Sequence, residues 1–133
     1  VREAVEELNI QPEQIDILGE IDYLVFERST IHCFVGRLNL DWMTIVPNEE
    51  VARIFTVPLS TLLTIQPVYY QLDSKVVPEC DFPFERLRGG ISYPFSYQKR
   101  SIPFYEQLPE NIWGMTAQFT HRFTEIINQQ TSP

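Results

Sequence analysis

The order of apolar patterns along this chain limits its fold more than any other feature. A helical periodicity opens it, β-forming runs fill the middle, and a second helical pattern closes it. Val1, Ala4, Val5 and Leu8 follow the i, i+3, i+4, i+7 spacing of a buried stripe. Asn9 stands where helices commonly end in a left-handed residue, and Pro12 blocks continuation. Residues 15–27 are rich in β-formers, with Gly19 marking a bulge or a bend between two strand segments. Residues 30–40 alternate, placing Ile31, Cys33 and Val35 on one face and Phe34 on the other. Residues 51–57 predict a further strand, and Pro58 then starts a short helix through Leu63. Gly89-Gly90, between residues 84–87 and 91–93, is a hairpin signal inside a proline- and aromatic-rich middle segment. A last helix is expected over 111–129, with Trp113 anchored in the core and Ala117, Phe119, Phe123, Ile126 and Ile127 on its apolar side. The expectation is one domain over residues 1–133, of mixed α/β (α+β) class, built in layers.

Charge and composition narrow the partners. The chain of 133 residues carries a formal net charge of −8, so the basic footprint of a nucleic-acid binder is missing overall. An acidic protein still binds phosphates where a divalent cation screens them, because the ion is then the largest local charge. No apolar run approaches the roughly 20 residues that span a bilayer, so no membrane partner is expected. Cys33 and Cys80 lack metal-ligand spacing and are expected as free thiols in a reducing, cytoplasmic setting.

The first helix concentrates acid. Glu3, Glu6 and Glu7 fall within an arc of roughly 100° opposite the Val1/Ala4/Val5/Leu8 stripe. Three carboxylates that close repel one another, and a hard divalent cation such as Mg²⁺ prefers oxygen ligands of this kind. Arg2 borders the same face and can hold one carboxylate by a bidentate hydrogen bond. The plainer reading of the same face is the solvated side of a surface helix. His32, in an apolar strand, reads as a core or edge residue, and His121 as a surface one.

The run Arg2-Glu3-Ala4-Val5-Glu6-Glu7-Leu8-Asn9-Ile10 resembles the second half of the Nudix box, Arg-Glu-U-x-Glu-Glu-x-Gly-U, with U a bulky aliphatic residue. Ala4 stands at one U position, and Asn9 replaces the glycine. The stretch Pro47–Leu59, which ends in Val57-Pro58-Leu59, looks like the family's approach to a short helix. Ile102-Pro103-Phe104-Tyr105, followed by Asn111-Ile112-Trp113-Gly114-Met115-Thr116-Ala117, is similar to the start of the last helix in coenzyme A pyrophosphatases of that superfamily.

The resemblance implies a Nudix-like mixed sheet sandwiched by helices. It also implies hydrolysis of a pyrophosphate bond in a nucleotide-type small molecule, with Mg²⁺ or Mn²⁺. By that analogy Glu3, Glu6 and Glu7 bind the metal and Arg2 orients Glu3. A further glutamate comes from a later loop, Glu50 in preference to Glu49. The coenzyme A branch yields 3′,5′-ADP and 4′-phosphopantetheine, and Arg86, Arg88, Lys99 and Arg100 are the available contacts to a 3′-phosphate.

The resemblance also implies a domain incomplete at its N-terminus, because the chain opens inside the signature helix. A half fold exposes a sheet edge and part of its core. Either the remainder lies elsewhere or a second copy covers the gap as a homodimer, and the 133 residues alone are expected to hydrolyse little or nothing. The rivals are a Nudix hydrolase for another nucleoside diphosphate derivative and a non-catalytic Nudix-derived module for binding or self-association.

Overall fold

A computed structural model describes residues 1–26, 29–73, 75, 77–95 and 99–131. The fold is α+β, as expected. Helix α1 spans Arg2–Leu8, strands β1 and β2 span Ile15–Phe26 and Ser29–Leu38, and the single-turn helix α2 spans Leu59–Leu62. Strands β3 and β4 span Val68–Leu72 and Arg100–Phe104, and helix α3 spans Gly114–Thr131. Among the described residues the strands form two separate two-stranded sheets, β1–β2 and β3–β4, both antiparallel.

Local chemistry explains the ends of α1. Ala4, Val5 and Leu8 are half-buried, while Glu3, Glu6 and Glu7 are exposed, so the helix lies with these three inward; Val1, the fourth residue of the expected stripe, is exposed. Asn9 ends it at φ 52°, ψ 47°, and Ile10, which follows, is buried. A β-branched side chain is poorly tolerated in that left-handed state. Asn9→Val is therefore expected to cost roughly 1–2 kcal/mol of stability, and Asn9→Gly to be neutral or mildly stabilising. Urea unfolding of the two variants checks the sign.

The β1–β2 hairpin shows the alternation expected from sequence. Ile31, Cys33 and Val35 are half-buried, and Phe34 is exposed on the opposite face. The register shifts between Ile17 and Gly19, and again between Glu20 and Asp22, so the bulge anticipated at Gly19 is one of two irregularities. Glu27, the last residue of the strand expected over 15–27, lies outside the described residues. At the base of the hairpin Arg37 donates to Asp16 at 2.8 Å across the strand pair.

Hydrogen bonding from Asn39, and then from Arg37, holds the Asp16 carboxyl below its ordinary pKa of 3.8. A depressed folded-state pKa contributes stability above the ordinary value, and that stability is lost as pH falls through the lower folded value. In an NMR titration the Asp16 midpoint is expected below 3.8, and Arg37→Ala should move it upward. A midpoint at or above 3.8 in the unaltered protein would contradict the pairing.

Helix α3 is the centre of the packing. Ala117 is fully buried, and Thr124 is 3% exposed one face-length along. Tyr105, 2% exposed, closes the core from the segment after β4. The Thr124 hydroxyl donates to the His121 carbonyl at 2.8 Å. Asn128 donates to the Leu63 carbonyl at 3.3 Å, tying α2 to the end of α3. On the hairpin side Ile21, Cys33 and Val35 face Phe119 and Phe123 of α3 across a shallow space. Burial, with Asp22 nearby, raises the Cys33 thiol pKa. Cys33 and Cys80 are both free.

Several elements depart from the sequence reading. Residues 51–57 form no strand, because no described segment pairs with them. Gly89 and Gly90 do take positive φ, 103° and 56°, but they join two 3-10 turns, Phe84–Arg86 and Gly90–Ser92, instead of a hairpin. Ring packing replaces strand pairing there, with Phe82, Phe84, Tyr93 and Phe95 meeting edge to face. The strand pair of this region is β3–β4, which the sequence reading did not assign. Trp113 is not a core anchor. It is 54% exposed, bridges to Phe104 and stacks on that ring at 5.4 Å. Gly114 at φ 61° then turns the chain into α3, so the helix begins after the tryptophan.

Candidate functional site

The acidic face of α1 is organised by Arg2. Its guanidinium donates to the Glu6 carboxylate at 3.0 and 3.2 Å and also to Glu3. One arginine thus spans the i+1 and i+4 carboxylates of the same helix. Hydrogen bonding to Glu6, with the charges of Glu3 and Glu6, raises the Arg2 pKa further above its ordinary value. All three side chains are more than half exposed, so this fork orients groups and contributes little to stability.

The second part of the site is a turn that docks on α1. The Asn48 N–H donates to the Glu7 carbonyl at 2.9 Å, so residues 48–51 sit against the last turn of the helix. The Asn48 side-chain oxygen accepts from the Glu50 N–H at 3.0 Å, and the Val51 N–H reaches the Asn48 carbonyl at 3.3 Å. This is the local bonding that asparagine supplies in turns. It presents the exposed Glu49 and Glu50 on the loop that touches the acidic helix. Sequence reasoning picked out the glutamates and missed Asn48. The signal was the Pro47-Asn48 step, a turn former directly before the acidic pair.

Of the predicted site residues, Arg2, Glu3 and Glu6 are in direct contact, Glu7 holds the turn through its backbone, and Glu50 belongs to that turn. Carboxylate oxygens suit a hard divalent cation. The described side chains, however, do not gather into a ligand shell: no group of three or more His, Cys, Asp or Glu among the described residues is placed to hold a metal ion. Glu3 keeps its second oxygen clear of Arg2, whereas both oxygens of Glu6 accept from it and would have to be shared with a metal.

The remaining candidates lie elsewhere. Arg86 and Arg88 belong to the aromatic turn region, and Arg100 opens β4. His32 is an exposed strand residue whose Nδ1 lies 2.5 Å from Glu20. His121 is half-buried and not a plain surface residue. Its Nε2 lies 3.7 Å from Glu125, and its enclosed Nδ1 has no partner among the described residues. No helix among the described residues is long and apolar enough to cross a membrane.

No protein-family model matches the chain. It is similar to a protein of Photorhabdus laumondii subsp. laumondii described as an uncharacterized Nudix hydrolase, NudL, at 28% identity over 128 residues. The match takes in 96% of this chain and 58% of the relative, so the chain spans a little under three-fifths of the curated protein it matches. The printed name of that relative is of the same superfamily that the Arg2–Ile10 run resembles.

Proposed function

We propose that this chain supplies the acidic helix of a Nudix-type pyrophosphohydrolase that acts on a nucleotide-type small molecule. The substrate we favour is coenzyme A or a derivative, cleaved to 3′,5′-ADP and 4′-phosphopantetheine. The observation that carries the reading is the Arg2 fork across Glu3 and Glu6, with the Asn48–Val51 turn docked on the same helix at Glu7. Glu3, Glu6 and Glu7 would hold Mg²⁺ or Mn²⁺, and Arg2 would position Glu3. A bound divalent ion would neutralise the pyrophosphate oxygens and lower the pKa of a water. Glu50, carried on the docked turn, is the candidate base for a proton of that water. The reaction adds water across the P–O–P linkage: one oxygen–phosphorus bond forms, the bridging bond breaks, and the bridging oxygen leaves on the other phosphate. The cytoplasm is the compartment that fits two free thiols.

The test is substrate profiling of the native gene product with Mg²⁺ and with Mn²⁺. Coenzyme A should be hydrolysed, with mass spectrometry finding the two named products. Preference for a dinucleotide or a nucleotide sugar would keep the Nudix reading and replace the substrate. A second reading, a non-catalytic module for binding or self-association, is favoured by the amount of apolar surface left open. Val25, Val46 and Met43 are each more than 70% exposed. Absence of hydrolysis across the whole panel would select it.

A further inference from the structure

A cleft whose lining includes no residue of α1 opens between the segment after the Asn48 turn and the start of α3. Its volume of about 510 Å³ falls within the roughly 300–1,000 Å³ of small-molecule sites. Phe55 lines it from the first segment, and Asn111, Ile112, Trp113, Met115 and Thr116 line it from the second. Phe55, Trp113 and Met115 are 40%, 54% and 46% exposed, so the apolar lining is open to a ligand. An ion pair between Arg53 and Glu110 ties the two segments together, two residues before Phe55 on one side and directly before Asn111 on the other.

Trp113 is held and open at once. It stacks on Phe104 with 13° between the ring planes, which orients the indole while more than half of the residue stays exposed. No ring contact joins Trp113 to Phe55 among the described residues, although both line the cleft. An oriented, open indole is a platform on which the flat face of a nucleobase stacks. An aliphatic occupant would use the apolar lining alone. The exposed Asn111 amide adds a donor and an acceptor, the pair that matches the N6/N7 edge of adenine. The Arg53 side chain, 67% exposed, adds a positive charge near Phe55 in sequence that suits a phosphate. The same stretch carries Glu50 five residues before Phe55, so at most about 18 Å of chain separates the cleft from the docked turn.

We propose that this cleft is the base subsite for the nucleotide substrate. A purine, adenine before guanine, stacks on Trp113, Asn111 reads its edge, and Arg53 meets a phosphate on the sugar. The subsite rests on the nucleotide reading of the substrate, and it places recognition of the base on residues that take no part in metal binding. Affinity for the base is thereby separable from the chemistry. Loss of Trp113 removes affinity for the base and leaves affinity for a base-free sugar phosphate.

Binding is measured by calorimetry on the native gene product, without divalent metal so that no hydrolysis runs. The probes are AMP, GMP and ribose 5-phosphate. AMP should bind about tenfold or more tighter than ribose 5-phosphate. Trp113→Ala should weaken AMP about tenfold or more and leave ribose 5-phosphate unchanged, and Trp113→Phe should keep most of the affinity. Phe55→Ala, from the other segment of the lining, should weaken AMP with an unchanged circular dichroism spectrum, which guards against a folding defect at Trp113. Asn111→Ala should narrow the gap between AMP and GMP. Trp42→Ala, at the other tryptophan of the chain, is the control and should leave AMP binding unchanged. AMP that binds no better than ribose 5-phosphate, or AMP affinity untouched by both Trp113→Ala and Phe55→Ala, would overturn the subsite whatever the rate of metal-dependent hydrolysis. Base-dependent binding without hydrolysis of any substrate would uphold the subsite and count against the catalytic reading alone.

Discussion

Replacing Glu7 by Gln is expected to lower metal-dependent hydrolysis by the native gene product about a hundredfold or more. Gln keeps the size of the side chain and removes its charge. Glu7 holds the Asn48 turn through its backbone carbonyl, which the substitution leaves in place. The fold should therefore persist, with an unchanged circular dichroism spectrum and a weaker response to added Mg²⁺ or Mn²⁺. Glu13→Gln, in the 3-10 turn that precedes β1, is the matched control and should leave the rate alone. Equal rates for the Glu7 variant and the control would remove Glu7 from the metal assignment.

The largest effect on stability is expected at Tyr105. The ring is 2% exposed and closes the core against α3, so Tyr105→Ala should cost about 3–5 kcal/mol by denaturant unfolding. The hydroxyl tells a different story. Burial raises its pKa, against a smaller lowering by Thr124, yet the Thr124 hydroxyl donates to the His121 carbonyl and the Tyr105 hydroxyl has no partner at hydrogen-bond distance among the described residues. An enclosed hydroxyl without a partner carries a desolvation cost that phenylalanine avoids. Tyr105→Phe should thus be neutral or stabilising. A loss above ~1.5 kcal/mol in the Phe variant would show that the hydroxyl holds a bond after all.

Local chemistry was legible wherever the deciding partners lie close in sequence. The helix over residues 2–8, its left-handed stop at Asn9 and the inward face of β2 at Ile31, Cys33 and Val35 all follow from spacing and residue type. The class of the fold follows from the order of those patterns. What failed was non-local. Val51–Val57 has strand composition, but a strand exists only where a neighbour pairs with it, and none does among the described residues. The β3–β4 pair joins segments about thirty residues apart, and Pro103 in β4 disguised it. Trp113 has the size of a core residue, yet the turn at Gly114 leaves it stacked on the outside against Phe104.

The candidate site divides the same way. The acidic face of α1 was readable from helical spacing, because Arg2, Glu3, Glu6 and Glu7 are neighbours in sequence. The docking of residues 48–51 on that helix was not, because it rests on one backbone hydrogen bond between Asn48 and Glu7, forty-one residues apart. The resemblance to the Nudix box named the carboxylates. Only the structure shows Arg2 holding two of them together.

The central claim is that the acidic helix serves a pyrophosphohydrolase. The most direct measurement is product analysis after incubating the native gene product with coenzyme A, ADP-ribose and a dinucleotide, each with and without Mg²⁺ or Mn²⁺. The account predicts cleavage at the pyrophosphate bond that depends on the added metal, with 3′,5′-ADP and 4′-phosphopantetheine formed from coenzyme A. Intact substrates throughout, with either metal, would contradict it.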